Sequence, residues 1–167
     1  LKYRNAKSVV VCFLGDGAVD EGAFHESMNF AALKKLPVLF VCENNLYAIH
    51  SHHLSRRHLD NICERVKTYG MQAERIDDGD IFKIYQFTNN YIKQIMQGNI
   101  MPVFLECITY RWKEHVGPGD DFHLGYRTKD EAEYWMQNDQ LKKLKSLLST
   151  DTFSKIESEV NLEIKKA

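Results

Sequence analysis

Two apolar β-branched runs, Ser8-Val9-Val10-Val11-Cys12-Phe13-Leu14 and Val38-Leu39-Phe40-Val41-Cys42, constrain this chain more than any other feature. Neither alternates polar with apolar residues, which is the pattern of strands covered on both faces in a parallel sheet. Between them, Phe24, Met28, Ala31, Ala32 and Leu36 recur at helical spacing along a segment from Glu21 to Lys35, and Pro37 stops the helix. Strand, helix and strand form a βαβ unit, whose crossover is expected to be right-handed. The lengths agree: a helix of ~14 residues at ~1.5 Å each covers ~21 Å, and a strand of ~7 residues at ~3.3 Å covers ~23 Å.

The same alternation continues. A polar loop from Asn44 to Arg57 leads to a helix over His58 to Tyr69, stopped by Gly70, and Met71 to Ile76 reads as a strand. After the turn Asp77-Asp78-Gly79-Asp80 come an amphipathic helix, Ile81 to Gln97, and a strand, Pro102 to Thr109. This order predicts an α/β fold: an open, mostly parallel sheet with helices on both faces. Tyr110 to Arg127 is a loop rich in Gly, Asp and His, longer than a plain connection needs, and loops of that size often carry function. Helices are predicted from Lys129 to Leu148 and from Asp151 to the end. Residues 1–128 are thus read as an α/β domain and 129–167 as its C-terminal helices.

Composition limits the function classes. At 44% hydrophobic residues the chain can build a core, and a formal net charge of -1 gives no field to draw it to nucleic acid or an anionic membrane. Small molecules and proteins are the expected partners. No apolar stretch approaches the ~20 residues that cross a bilayer. Cys12, Cys42, Cys63 and Cys107 form no CxxC pair, and three of them sit in apolar runs, which suits a reducing compartment: cytoplasm or mitochondrial matrix.

Asp16 lies just past the first strand, and Asn44-Asn45 just past the second. Neighbouring strands run ~4.8 Å apart, so these side chains can converge above the sheet edge, where open α/β sheets bind ligands. A carboxylate, an amide oxygen and a backbone carbonyl suit a hard cation such as Mg²⁺, which commonly shares its oxygen ligands with phosphates. Gly17, Gly22 and a helix N-terminus offer backbone N–H groups to a diphosphate. Gly-Asp-Gly alone is often only a turn, and Asn-Asn alone is more often a turn than a ligand. Their pairing across one βαβ unit is the signal.

Gly15-Asp16-Gly17-Ala18, Glu21-Gly22, Phe24-His25-Glu26, Asn29-Phe30-Ala31-Ala32, Leu36-Pro37-Val38 and Glu43-Asn44-Asn45-Leu46-Tyr47-Ala48-Ile49 together resemble the thiamine diphosphate motif of 2-oxo acid dehydrogenase alpha subunits, of the pyruvate, branched-chain and acetoin types. The family motif opens with GDG and closes with NN about thirty residues later, an interval kept here. Transketolase-like and acetolactate synthase-like enzymes share the general motif, but the ENNxYAI ending favours the dehydrogenases. The likeness continues through Arg75-Ile76-Asp77, Tyr110-Arg111, Gly125-Tyr126-Arg127-Thr128 and Glu131 to Trp135.

The resemblance implies thiamine diphosphate and Mg²⁺ as cofactors, with the metal held by the side chains of Asp16 and Asn45 and the backbone carbonyl of Tyr47. It implies that Gly15, Gly17 and Ala18 line the diphosphate and that Glu21 and Ile49 lie near it. Glu21 is equally explained as a first-turn glutamate favoured by the helix dipole. His25 and Asn29 match family positions and read as packing and hydrogen-bonding residues. His115 matches a histidine near the diphosphate and the substrate entrance, where it could act as acid or base, hold a phosphate oxygen, or simply face solvent. The implied activity is oxidative decarboxylation of a 2-oxo acid with acyl transfer to a lipoyl group. The implied partners are a beta subunit carrying the pyrimidine-binding domain, in an alpha2beta2 assembly, and the lipoyl domain of a dihydrolipoyl acyltransferase. Without the beta subunit the chain is expected to be inactive.

Departures from the family pattern are specific. His50 stands where many relatives have a small serine, and is expected to crowd or rewire the diphosphate end. Val116-Gly117 stand where mitochondrial pyruvate enzymes carry a serine, so phosphorylation there is not predicted. Family members have a comparable length of chain before GDG, so the α/β domain is expected to be partial. His50, His52, His53 and His58 lack a Cys or carboxylate at four-ligand zinc spacing. Two other readings stay open: a non-catalytic fragment that keeps the motif, and a different thiamine (transketolase-like) or Mg²⁺-phosphate enzyme on a similar sheet.

Overall fold

A computed structural model describes residues 8–166. The chain divides into two compact units, Leu1–Thr128 and Lys129–Ala167. The first runs β1 (Val10–Gly15), α1 (Gly22–Lys34), β2 (Val38–Asn44), a short ribbon of β3 (Tyr47–Ala48) and β4 (Ser51–His52), the one-turn α2 (His53–Arg56), α3 (Ile62–Lys67), β5 (Gln72–Ile76), α4 (Ile81–Met96) and β6 (Val103–Ile108). The main sheet has the order β1-β2-β6-β5, and every pairing in it is parallel.

Side-chain alternation along β2 builds two cores. Phe40 and Cys42 point to one face, where Phe24, Met28 and Ala31 of α1 and Ile62, Cys63 and Val66 of α3 cover them with Ala73 and Phe104. Leu39 and Val41 point to the other, where Tyr91 and Ile95 of α4 meet Ile76, Val103, Leu105 and Cys107. Helices therefore lie on both faces, as the alternation of elements predicts. Tyr91 also anchors α4 through its hydroxyl, which donates to the carbonyls of Val38 and Met101 at 3.0 and 2.9 Å. Asp80 starts α4 by accepting from the backbone N–H groups of Phe82 and Lys83.

Four expectations need correction. β1 is not buried on both faces: Val10, Val11 and Phe13 are exposed, Phe13 by 66%. The reason is position, because β1 is the outermost strand and pairs only with β2 among the described residues. The helix expected over residues 58–69 shrinks to α3, because Asp60 turns aside to accept from Arg75 Nη1 at 2.8 Å. The loop from Asn44 to Arg57 contains the β3–β4 ribbon and α2.

The fourth correction lies in the second unit, which comprises α5 (Lys129–Gln137), α6 (Gln140–Leu147) and α7 (Thr150–Lys166). The single helix expected from Lys129 to Leu148 is broken in two, because Asn138 Nδ2 donates back to the carbonyl of Tyr134 at 2.8 Å and Asp139 caps a new helix by accepting from Leu141 N at 2.9 Å. Among the described residues no helix is long and apolar enough to cross a membrane.

Candidate functional site

The parallel register pairs Gly15 with Glu43, so the chain leaves adjacent ends of β1 and β2 at Asp16 and at Asn44-Asn45. The two exits touch. A Cβ built on Gly17 would stand 2.9 Å from Cβ of Ala48, closer than side chains approach, so only glycine lets this turn rest against β3. Ala18–Asp20 then form a 3-10 turn around the buried Val19. No side chain caps the N-terminus of α1, where Glu21 lies exposed.

The two asparagines do different work. Asn44 is fully buried: its Nδ2 donates to Glu106 Oε1 at 2.7 Å, and its Oδ1 accepts from Leu46 N at 2.9 Å. Asn45 Oδ1 accepts from Tyr47 N at 3.0 Å, which leaves that oxygen a second lone pair for another partner. Leu46 and Ile49 both carry positive φ, 71° and 56°; for the branched Ile49 this is a strained conformation, of the kind that collects at ligand sites. Ile49 is half exposed, and its carbonyl accepts from Arg111 Nη2 at 3.3 Å.

Glu106, from the centre of β6, is a buried carboxylate that sequence reasoning missed. Besides Asn44 it meets Cys63 Sγ at 3.3 Å and Arg75 Nη1 at 3.5 Å. Burial, reinforced by the Glu106 and Asp16 charges, pushes the Cys42 thiol far up, and burial with the Glu106 charge and hydrogen bond does the same to Cys63. These cysteines are inert core groups.

Asp16 is only 2% exposed and is met by two arginines from the α2 end. Arg56 Nη2 lies 2.5 Å from Asp16 Oδ2, and Arg56 also bonds Asp20; Arg57 Nη1 donates to the Asp16 carbonyl at 3.4 Å. These residues escaped sequence reasoning too, although an Arg-Arg pair closing a polar loop opposite an acidic turn was a usable signal. Nε and Nη2 of Arg57 are buried with no hydrogen-bond partner. Buried donors of this kind call for water or a bound group that supplies acceptors. His53 is buried beside this segment; desolvation lowers its pKa, against the pull of Asp60 at 3.6 Å. Among the described residues no cluster of three or more His, Cys, Asp or Glu could hold a metal, so any cation here would need amide and carbonyl oxygens.

Tyr47 joins the ribbon to the long loop. Its ring meets Tyr126 at 5.5 Å and His52 at 5.2 Å, and His50 lies against Tyr126 at 4.7 Å. The base of the loop is tied together: buried Asp121 accepts from Arg127 Nε at 2.7 Å and from the Tyr126 hydroxyl, while Arg127 lies over the rings of Tyr110 and Phe122. Burial acts to raise the Asp121 carboxyl, but the Tyr126 and Arg127 hydrogen bonds outweigh it and hold it below its ordinary value.

Gly15, Asp16, Gly17 and Ala18 therefore follow β1, and Asn45, Tyr47 and Ile49 follow β2, where the two chain exits meet; Glu21 lies beyond the 3-10 turn at the start of α1. His115 is exposed in the loop, and no hydrogen bond or ring contact ties it to that corner. His50 turns to Tyr126.

Comparison with known proteins places the chain in a family. The model of the family described as dehydrogenase E1 component matches residues 1–167, and the chain belongs to that family. It is 38% identical over 171 residues to the alpha subunit of acetoin:2,6-dichlorophenolindophenol oxidoreductase of Bacillus subtilis, a match covering 99% of this chain and 50% of that protein. It is 36% identical to the alpha subunit of human mitochondrial 2-oxoisovalerate dehydrogenase, over 83% of this chain and 30% of the relative. Against the pyruvate dehydrogenase E1 component alpha subunit of Porphyra purpurea the identity is 31%, over 100% and 49%. The chain thus spans half or less of the length of these relatives. Among solved structures, a transketolase from Pichia stipitis aligns at a TM-score of 0.49 and 20% identity, over 60% of this chain and 15% of that one.

Proposed function

We propose that this chain supplies the metal and diphosphate half of a thiamine diphosphate site, in the alpha subunit of a 2-oxo acid dehydrogenase that passes an acyl group to a lipoyl arm. One observation carries the reading: the parallel register of β1 and β2 sets Asp16 beside Asn44-Asn45, with the GDG turn packed against Ala48. The named relatives, which are alpha subunits acting on acetoin, 2-oxoisovalerate and pyruvate, support the same class.

In this reading Asp16 and Asn45 hold Mg²⁺ through side-chain oxygens, and Tyr47 through its backbone carbonyl. Gly15, Gly17 and Ala18 line the diphosphate, with Glu21 and Ile49 at its border. The bound cofactor supplies the carbanion chemistry of decarboxylation, and the protein contributes position and electrostatics. Glu106 holds Asn44, and Asn44 holds the start of the turn that carries Asn45 and Tyr47. His115 takes its role from the family match alone: an acid, a base or a hydrogen-bond donor to a phosphate oxygen near the substrate entrance. The beta subunit, in an alpha2beta2 assembly, brings the pyrimidine-binding domain, and the lipoyl domain of an acyltransferase takes the acyl group.

Calorimetry of thiamine diphosphate with Mg²⁺, on the chain with and without a beta subunit, tests this. Metal-dependent binding that needs or is strengthened by the beta subunit is the expected result; no binding in either case contradicts it.

A further inference from the structure

The corner holds two arginines that the chemistry above leaves unused. Arg56 ends α2 and Arg57 follows it, and their side chains are only 17% and 6% exposed. Arg56 spans two carboxylates, with Nη2 on Asp16 at 2.5 Å and Nη1 on Asp20. Arg57 Nη2 stands 3.7 Å from Asp16 Oδ2, and its Nη1 stands 3.7 Å from Asp20 Oδ1. Two guanidinium groups and two carboxylates thus cancel in charge within one partly enclosed corner.

A carboxylate as deeply buried as Asp16 is costly without a partner, and Arg56 satisfies it. Yet Arg56 occupies Oδ2 of the one carboxylate that a divalent ion at this corner would also need. Two cations held against the same carboxylate repel strongly in a site of low dielectric. Metal entry is therefore favoured when Arg56 leaves Asp16. Its second contact, on Asp20, lets it turn away without losing every partner. Arg57 keeps two buried donors unfilled beside the same turn, in the fork that suits a phosphate.

We propose that Arg56 is the resident counter-ion of Asp16, exchanged for the divalent metal, and that the released guanidinium, tethered at Asp20 and joined by Arg57, faces the anion that arrives with the metal. The proposal rests on Asp16 as a metal ligand. It predicts that metal alone binds weakly, because each ion must displace an internal cation.

The test titrates Mn²⁺ alone into the full chain, followed by water-proton relaxation, for the unaltered protein, R56Q, R56K and D16N. R56Q should bind Mn²⁺ about tenfold more tightly, in the ordinary range of coupling between two ligands of one site. R56K, whose compact charge cannot span both carboxylates, should fall between, and it serves if R56Q does not fold. The metal-free R56Q protein should also melt earlier and regain stability with Mn²⁺. D16N should remove the binding in either background. Binding that depends on Asp16 but is unchanged or weakened in R56Q and R56K overturns the exchange and leaves the metal site standing. Folded proteins that show no Asp16-dependent Mn²⁺ binding overturn the metal site and the exchange together.

Discussion

β1 and β6 flank the same strand in the same parallel sense, and both are largely apolar, yet every residue of β6 is buried while most of β1 is exposed. The difference lies in neighbours. β6 has β2 on one side and β5 on the other, with a core layer against each face; β1 has only β2 among the described residues. Burial in turn decides what polar chemistry a strand can carry. Inside β6 the Glu106 carboxylate is tolerated because Asn44, Cys63 and Arg75 surround it. From the end of β1 comes Asp16, held by cations that reach it from α2. The corner thus combines a buried support beneath Asn44 with an ion-paired carboxylate at Asp16.

The contrast is sharpest in the core. Leu105→Ala, at a fully buried position of β6, should lower stability by about 2–5 kcal/mol, whereas Phe13→Ala on β1 should stay within about 1 kcal/mol in urea unfolding. Equal losses would mean that β1 is covered in solution. Glu106→Ala comes next: it leaves the Asn44 amide unpaired in the interior and should cost about 1–3 kcal/mol, with Glu106→Gln milder because it can still accept that hydrogen bond.

A chemical probe reads the same difference without mutation. Iodoacetamide at mild alkaline pH should modify the exposed Cys12 of β1 at least tenfold faster (order of magnitude) than Cys107 of β6, whose thiol burial pushes up to about 11. Cys42 and Cys63, also raised by burial, should react only on unfolding. Comparable rates at Cys12 and Cys107 would break the comparison.

The smallest effect concerns acid. His53 has a folded pKa below its ordinary value, so between that pKa and the unfolded value of 6.5 the unfolded chain binds more protons. Stability should therefore fall as pH drops through 6.5 toward the folded pKa, and His53→Gln should flatten that slope in thermal melts. An unchanged slope would show that His53 stays solvated.

Much of this organisation was legible in the sequence. The apolar periodicities locate the strands of the main sheet and the long helix α4, because each is a local pattern, and the GDG to NN interval marks the two strand ends that meet. Exposure of β1 was not legible, since an apolar run encodes a strand but not how many neighbours it has. The Asn138-Asp139 break was missed because a helical period continues through it, while capping bonds decide the end. Glu106 and the arginines were missed for another reason: their partners lie 62 and 40 residues away, so no spacing rule joins them. His115 has a motif match but stays on an exposed loop apart from the corner's contacts.

Asp16 is central to the proposed site, as an oxygen donor to a divalent ion that joins the corner to a diphosphate. Thiamine diphosphate affinity, measured by calorimetry with and without Mg²⁺ on the unaltered chain and on Asp16→Ala in the presence of a beta subunit, addresses this directly. The account predicts that the substitution removes the Mg²⁺-dependent part of binding while circular dichroism stays unchanged. Metal-dependent affinity that survives in Asp16→Ala would contradict it.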